Sequence, residues 1–316
     1  MATFRKRGDR WQASVARKGV RMSKSFPTKA AAKDWAARQE YLILNGGINR
    51  PGTMRELFDK YAREVSPKKR GARWEQLRLE LLSRDKLADV ELRALCPADL
   101  AEWRDRRLGE VKPATVRREM ALLSSVCTIA RREWGLLASN PLADVRSPSE
   151  PPSRDRRVSD EEIALLVATA KGLNTVEGRA VHAFRFAVET AMRAGEICGL
   201  NRSRITGSVA FLPMTKNGRP RHVPLSPAAL ALLEPLDDRL FNLTPHQMDT
   251  GFRRVRQKAG IEGLTFHDSR HEAVTRLARR LEPFDLARAV GHTNMTQTLA
   301  YYNATAQELA ARLARD

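Results

Sequence analysis

The spacing of apolar residues divides the chain into a short N-terminal segment with strand-like alternation and two longer segments that are mostly helical. Turn dipeptides separate two predicted strands, Trp11–Arg17 and Val20–Phe26, and a helix is predicted from Thr28 through Tyr41. Stretches rich in glycine, asparagine or proline at 45–52 and 147–153 cannot continue a helix. The pattern therefore predicts three pieces.

The middle piece has the period of amphipathic helices throughout. Helices are predicted to begin at Thr53, around Trp74, at Pro97 and at Pro113, the last running through Trp134. The apolar positions on these helices are predicted to form a core, and they are Leu57, Phe58, Tyr61, Trp74, Leu77, Leu81, Leu82, Leu100, Trp103, Val116, Met120, Leu123, Val126 and Cys127.

The third piece mixes helices with one hairpin. A capping box at 159–162 precedes the apolar residues Ile163, Leu165 and Leu166 and predicts the start of a helix. A helix is predicted over Val181–Met192. Strands are predicted near Val209–Met214 and Arg221–Leu225, joined by a turn containing Asn-Gly, and the remainder is predicted to be helical.

These patterns predict a mainly α chain with small β elements. We expect three domains: a small basic α+β domain at 1–46, an all-α domain at 53–147, and a mixed α/β domain with a carboxy-terminal tail at 155–316.

The charge is strongly positive and unevenly distributed. Lysine and arginine total 56 against 37 acids, a net charge of +19, and residues 1–50 alone carry 12 basic and 3 acidic side chains, or +9. This asymmetry predicts a nucleic-acid partner rather than a merely soluble basic protein. Candidate DNA contacts are Arg5, Lys6, Arg7, Arg10, Arg17, Arg21 and Lys24 in the first piece, and Lys112, Arg117 and Arg118 in the second, where a solvated face is an equal alternative.

Other features narrow the class of protein. The three cysteines are far apart and predict neither a disulfide framework nor a thiolate zinc site. No secretory signal or membrane-spanning run is visible, so we expect a protein of the cytoplasm acting on DNA, without a membrane partner. His267 and His271 are four residues apart, but a metal site is not expected because an obvious third ligand is missing.

The third piece contains the residue types that break a phosphodiester without a metal. The reaction needs a nucleophile in line with the scissile bond, cations on the non-bridging oxygens and an acid for the leaving oxygen. Separate segments supply an arginine, a hairpin lysine, a histidine three residues before a second arginine, a Gly-His pair and a tyrosine: Arg193, Lys216, His267, Arg270, His292 and Tyr301. Each alone is more often a surface or packing residue.

The order and spacing of these residues resemble the catalytic signature of the tyrosine recombinase (phage integrase) family. The resemblance includes flanking residues at 215–225 and 298–302, and covers about 155–316 strongly. It implies a tyrosine-recombinase catalytic domain there. The helical middle and the basic first piece resemble the family's core-binding and arm-binding domains in layout. Ala191 stands where the family usually has glycine.

The resemblance also implies a role for each residue. Tyr301 would attack the phosphate and form a 3′-phosphotyrosyl bond, as in type IB topoisomerases, and Arg193 and Arg270 would hold the non-bridging oxygens. Lys216 would protonate the departing 5′-oxygen, and no cofactor would be needed because the covalent bond conserves energy. The remaining roles are proton acceptance from the tyrosine by His267, a hydrogen bond to the phosphoryl group from His292, and orientation of the site by Glu196. We expect nearby cations to favour the phenolate of Tyr301.

We therefore expect a site-specific recombinase that integrates or excises a phage or other mobile element, acting on double-stranded DNA as a tetramer. Accessory DNA-bending or directionality proteins are possible partners. Two alternatives stay open: a non-catalytic, sequence-specific DNA-binding regulator with the same fold, and an RNA-binding protein, which the low aromatic content of 6% disfavours. The basic first piece favours an integrase over a resolvase or invertase.

Overall fold

The computed structural model describes residues 2–17, 20–44, 51–150, 154–215 and 218–302. The chain divides into two compact units, Met1–Pro152 and Ser153–Asp316. The predicted split of the first unit into two domains stays a prediction. Within the described ranges, no helix is long and apolar enough to cross a bilayer.

The first unit begins with an antiparallel sheet of three strands in chain order, covered by a helix. The elements are β1 (Ala2–Arg7), β2 (Arg10–Arg17), β3 (Val20–Phe26) and α1 (Lys29–Leu44). Ala13 and Val15 on β2 are buried against Ala32 and Ala36 of α1. The helix begins as predicted, with the Thr28 hydroxyl accepting from the Ala31 amide at 3.2 Å. It ends three residues later than predicted.

The register of this sheet sorts the predicted DNA-contacting residues between two faces. Arg7 lies opposite Arg10, and Ala16 lies opposite Arg21, all out of phase with the buried positions of β2. The open face therefore carries Arg5, Arg7, Arg10 and Arg21, whereas Lys6, Arg17 and Lys24 belong to the helix-covered face. On that covered face, Arg17 pairs with Glu40 of α1 at 3.2 Å.

The rest of the first unit is helical, as predicted. Its helices are α2 (Met54–Glu64), α3 (Ala72–Leu82), α4 (Pro97–Leu108) and α5 (Pro113–Arg132). The predicted stripes of α2, α4 and α5 are buried in one core that includes Phe58, Tyr61 and Trp103. Arg117 on α5 donates to the carbonyl of Pro148 at 2.9 Å and pairs with Glu150, whereas Lys112 and Arg118 are exposed.

The predicted core face of α3 is wrong at three of its four positions. Trp74, Leu77 and Leu81 are 41%, 59% and 40% exposed, whereas the predicted Leu82 is buried together with Leu79, which was not predicted. The apolar period correctly predicted a helix but not which side would meet α2, because α3 has apolar residues on more than one side. Trp74 is partly shielded by the guanidinium of Arg78, whose central carbon lies 5.8 Å from the ring centroid.

The second unit is built around a buried central helix. Its elements, in order, are α6 (Asp160–Thr169), α7 (Val176–Thr190), α8 (Ala194–Cys198), β4 (Ile205–Thr206), β5 (Val209–Leu212), β6 (Arg221–Pro224), α9 (Pro227–Ala231), α10 (Pro245–Lys258), α11 (Asp268–Leu277), α12 (Pro283–Val290) and α13 (Met295–Leu299). α10 and α11 pack against α7. Phe184 of α7 stacks on Phe252 of α10, with ring centroids 4.5 Å apart.

Several boundaries in this unit differ from the predictions. The central helix begins five residues before the predicted Val181, since Thr175 caps it by accepting from the Gly178 amide at 2.9 Å. It ends at Thr190, because Ala191 adopts a left-handed conformation with φ +54°. The two predicted strands are shorter than expected, and the two-residue strand β4 was missed. On α6 the predicted capping box is present, and of the apolar residues after it Leu166 is buried whereas Leu165 is 46% exposed.

The segment that opens the second unit is attached to α11 by ion pairs. The guanidinium of Arg154 donates to both carboxylate oxygens of Asp268, at 2.5 and 2.7 Å. The guanidinium of Arg157 donates in the same way to both oxygens of Glu272, at 2.7 and 3.0 Å. Both carboxylates are buried. Arg157 and Arg276 lower the pKa of Glu272 to about 2 against the opposing effect of burial. These pairs fix the start of α11, where two predicted site residues lie.

Candidate active site

Arg193 lies between two helices, not inside one. The left-handed Ala191 turns the chain out of α7, and Arg193 becomes the N-cap residue of α8. Glu196 stabilises the start of α8, because its carboxylate accepts from the Arg193 amide at 2.8 Å and from Nη1 of the Arg193 side chain at 3.0 Å. The predicted neighbourhood of Glu196 and Arg193 is therefore present, and the carboxylate holds both the main chain and the side chain of the arginine.

Arg270 is almost completely buried and bridges the ends of two helices. Its Nη1 donates to the carbonyl of Ala191, after α7, and its Nη2 donates to the carbonyl of Val290, the last residue of α12, at 2.5 and 2.7 Å. Carbonyls at helix ends have no partner within the helix, so this guanidinium satisfies both. Burial, with a smaller effect of the charges on Arg193 and Arg221, lowers the pKa of Arg270 to about 9. The side chain is still protonated at pH 7.

Two histidines accompany Arg270 at the start of α11. His267 precedes the first residue of the helix, and His271 lies one turn further on. The ring centroid of His271 is 5.3 Å from that of Tyr301, with the rings tilted by 53°. Within the described ranges, no three histidine, cysteine, aspartate or glutamate side chains are grouped closely enough to hold a metal ion.

His292 is held by a tight turn after α12. Gly291 has φ +70°, a conformation that favours glycine, and His292 Nδ1 lies 2.9 Å from the hydroxyl of buried Thr298. Burial, followed by the charges on Arg270 and Arg193, lowers the pKa of His292 to about 4. The imidazole is therefore neutral at pH 7, and it can serve as a hydrogen-bond donor or acceptor without adding charge.

The two adjacent tyrosines have different environments. Tyr302 donates its hydroxyl to the carbonyl of Leu281 at 2.5 Å, outside the cavity. Tyr301, just after α13, is half-buried and faces the histidines and Arg270. Burial raises the pKa of Tyr301 and the charge of Arg270 lowers it, with burial the larger effect. The charge of Arg270 therefore favours the phenolate, as expected, but in the unbound protein burial outweighs it.

A single open cavity of about 820 Å³ brings the predicted residues together. Five of the six predicted catalytic side chains line it: Arg193, His267, Arg270, His292 and Tyr301. Lys216 lies outside the described residues. The rim includes Arg154 and Arg157, from the segment attached to α11. The arrangement places a phenol, four guanidinium groups, three imidazoles and two carboxylates around a space large enough for a phosphodiester backbone.

Besides Arg154 and Arg157, two residues that support this site were not predicted from the sequence. His271 was considered only as a metal ligand, yet it contacts Tyr301. Arg221, at the start of β6, has a side chain that is only 8% exposed and binds Glu196 with two hydrogen bonds, at 3.1 and 2.9 Å. Alternation along the strand was an available signal, because Arg221 shares a face with the buried Val223.

The low pKa of His292 predicts a pH dependence of stability. Its folded pKa of about 4 lies below the ordinary value of 6.5, so its contribution is complete above pH 6.5 and is lost as the pH falls toward 4. We expect His292→Gln to reduce the fall in melting temperature between pH 6.5 and 5, measured by circular dichroism. Burial also lowers the pKa of His182, so some slope will remain. The matched control is His246→Gln at an exposed position. An unchanged slope in His292→Gln would contradict the assignment.

Comparisons with known proteins identify the family. The phage integrase family model matches residues 156–308. A putative integrase/recombinase of Haemophilus influenzae is 40% identical over 316 residues, covering 94% of this chain and 85% of that protein. A shufflon-specific DNA recombinase of Escherichia coli is 36% identical over 272 residues, covering 81% of this chain and 70% of that protein.

The fold is also similar to that of solved integrase structures. A lambda integrase tetramer bound to a Holliday junction matches with a TM-score of 0.67 at 17% identity, covering 93% of this chain and 92% of that chain. At this level of identity the match concerns the fold alone. The sequence relatives carry the assignment: the chain belongs to the phage integrase family of tyrosine recombinases.

Proposed function

We propose that this protein is a site-specific integrase that cuts and rejoins duplex DNA through a covalent bond to Tyr301. The observation that carries the proposal is the shared cavity, in which the Tyr301 phenol meets Arg193, Arg270 and His292. The hydroxyl of Tyr302 is bonded to a carbonyl elsewhere, which favours Tyr301 as the nucleophile. A regulator without activity would not need a phenol facing a cationic cavity.

The proposed reaction is a transfer of the phosphoryl group between two oxygens. The Tyr301 oxygen forms a bond to phosphorus as the bond from phosphorus to the 5′-oxygen breaks, leaving a 3′-phosphotyrosyl bond. The phenol proton passes to His267, and Lys216 supplies the proton for the departing 5′-hydroxyl. The reverse attack by a 5′-hydroxyl rejoins the strand and restores Tyr301, so no external energy source is required.

The cations of the cavity suit the charge of the transition state. Arg193 and Arg270 can each donate to a non-bridging oxygen, and burial makes these interactions stronger than they would be in water. Arg270 is held by two helix-end carbonyls and needs little reorganisation when DNA binds. In the tautomer in which Nδ1 accepts from the hydroxyl of Thr298, the neutral His292 carries its proton on Nε2 and can donate it to the phosphoryl group.

DNA binding outside the cavity is assigned to the first unit. We assign arm-type DNA binding to the sheet of residues 2–26, supported by the open face with Arg5, Arg7, Arg10 and Arg21. The helices of 53–147 are assigned to binding of the core site. Assembly as a tetramer on DNA follows the lambda integrase of similar fold, and the mobile-element role follows the integrase relatives.

The experiment that tests this function is covalent trapping on a suicide substrate. A library of duplexes with a randomised core is nicked next to the expected cleavage site. The short fragment that carries the freed 5′-hydroxyl then diffuses away, and religation fails. We expect a DNA–protein adduct that survives denaturation, with fragmentation of its tryptic peptide placing the nucleotide on Tyr301. Duplex binding without any adduct would favour the regulator, and an adduct on another residue would overturn the assignment of Tyr301.

A further inference from the structure

The buried arginine at the start of β6 links several segments of the active site. Its two terminal nitrogens donate to both oxygens of Glu196, at 3.1 and 2.9 Å, and Arg221 and Glu196 are 8% and 6% exposed in their side chains. Burial lowers the pKa of Arg221 while Glu196 opposes that effect. Burying a charged pair is costly, and such a pair often fixes a specific geometry rather than adding stability.

Glu196 also contacts Arg193, the arginine that is predicted to bind the phosphate. The same carboxylate that accepts from Arg221 also accepts from the amide and from Nη1 of Arg193, at 2.8 and 3.0 Å. Both oxygens of Glu196 are therefore used twice, once by each arginine. If Arg221 were removed, the carboxylate would keep Arg193 as its partner among the described residues, and the two side chains could rotate together.

The same guanidinium packs against the turn that carries His292. A Cβ atom added to Gly291 would lie 2.5 Å from Nη1 and 3.1 Å from Cδ of Arg221. Only a glycine fits here, because its φ of +70° is also unfavourable for other residues. Arg221 thus lies directly against the residue before His292.

We propose that Arg221 is a positioning residue for the recombination reaction, orienting Arg193 through Glu196 and fixing the turn of His292, without touching the phosphate itself. The proposal rests on the proposed function. Of the described residues, those lining the cavity include Arg193 and His292 but not Arg221. A misplacement of about 1 Å in a group that binds the transition state can cost about 100-fold in rate.

The test compares single-turnover cleavage by Arg221→Met with that by the wild type, on two forms of the suicide duplex. On the ordinary phosphodiester we expect a rate about 100-fold below the wild type with duplex affinity unchanged. On a duplex with a methylphosphonate at the scissile position, the deficit should fall below about 10-fold. The methyl group removes one charged oxygen, so the orientation of Arg193 matters less.

A matched control separates positioning from loss of an ion pair. Arg156 makes a similar two-bond pair with Glu162 in the same unit, and it is not among the residues lining the cavity. Arg156→Met should cleave both substrates like the wild type. Equal deficits of Arg221→Met on both substrates would overturn the proposal. The proposal would also be overturned if the cleavage rate of Arg221→Met were restored only by a 5′-thio leaving group. Such a group needs no proton when it departs, so that result would point to Lys216 instead.

Two further variants keep the test decisive if Arg221→Met fails to fold. Arg221→Lys keeps the charge but cannot bind both oxygens of Glu196, and it should show the same substrate-dependent deficit. Combined with Glu196→Gln, it should cost less than the two single losses added as free energies, because both act on Arg193 and only the contact with the turn of His292 is independent of Glu196. Fully additive losses would overturn the proposal. Absence of cleavage by the wild type would instead contradict the proposed function.

Discussion

Replacing Tyr301 by phenylalanine is expected to abolish the covalent DNA adduct, lowering the cleavage rate by at least about 10⁴-fold, because the attacking oxygen is gone. Duplex affinity should be unchanged, since the cations of the cavity remain. The measurement is single-turnover trapping on the nicked duplex, with binding followed separately by gel shift.

The neighbouring tyrosine supplies a matched control for this experiment. Tyr302→Phe removes a hydroxyl that donates to the carbonyl of Leu281, away from the residues that line the cavity. We expect it to form the adduct at close to the wild-type rate, with a loss of stability of about 1 kcal/mol. An active Tyr301→Phe, or an inactive but folded Tyr302→Phe, would show that the nucleophile has been assigned to the wrong residue.

The second large effect is expected at Arg270, where catalysis and stability depend on one side chain. Arg270→Lys should lower the cleavage rate by about 10²–10³-fold and destabilise the second unit by about 2–4 kcal/mol. The reason is that the single nitrogen of a lysine cannot take the positions of the two guanidinium nitrogens that bond the helix-end carbonyls and also bind a non-bridging oxygen. Arg193→Lys should slow cleavage to a similar extent but cost under about 1 kcal/mol, since its side chain is 23% exposed and bonds no helix-end carbonyl in the structure.

The tryptophans of the chain make this comparison straightforward to measure. All five lie before residue 135, in the first unit, so tryptophan fluorescence follows that unit and should not change in either variant. Circular dichroism follows both units, and hydrogen exchange at the last turns of α7 and α12 should rise in Arg270→Lys only. Equal stability of the two lysine variants would contradict the structural role of Arg270.

Helix positions were more predictable than helix faces. The caps at Thr28, Thr53 and Ser159 are encoded by local side chains, and the structure has a helix beginning at each. The exposed face of α3 was not predictable in this way. Which side of a short helix meets a neighbour depends on packing across the unit, and the apolar pattern near Trp74 satisfies more than one choice. The left-handed Ala191, which ends α7 early, also lacks a local signal, since alanine rarely adopts that conformation.

The predicted catalytic residues could be named from order and spacing, but their supports could not. The two contacts that matter most, from Arg270 to the carbonyl of Val290 and from Arg221 to Glu196, join segments 20 and 25 residues apart. Main-chain carbonyls leave no trace in a sequence, and an arginine on a hairpin strand is usually taken for a solvent-exposed residue. The low pKa of His292 likewise arises from burial and from charges on distant segments.

The use of Arg270 as a tie between two helix ends has a consequence for how such a protein can lose its activity. Tyr301 can be exchanged for another residue while the architecture survives, leaving a molecule that still recognises DNA. Loss of Arg270 would also destabilise the fold, since the ends of α7 and α12 would lose the side chain that bonds both of them. Inactivated descendants of this chain should therefore be found without the nucleophile but still with the buried guanidinium.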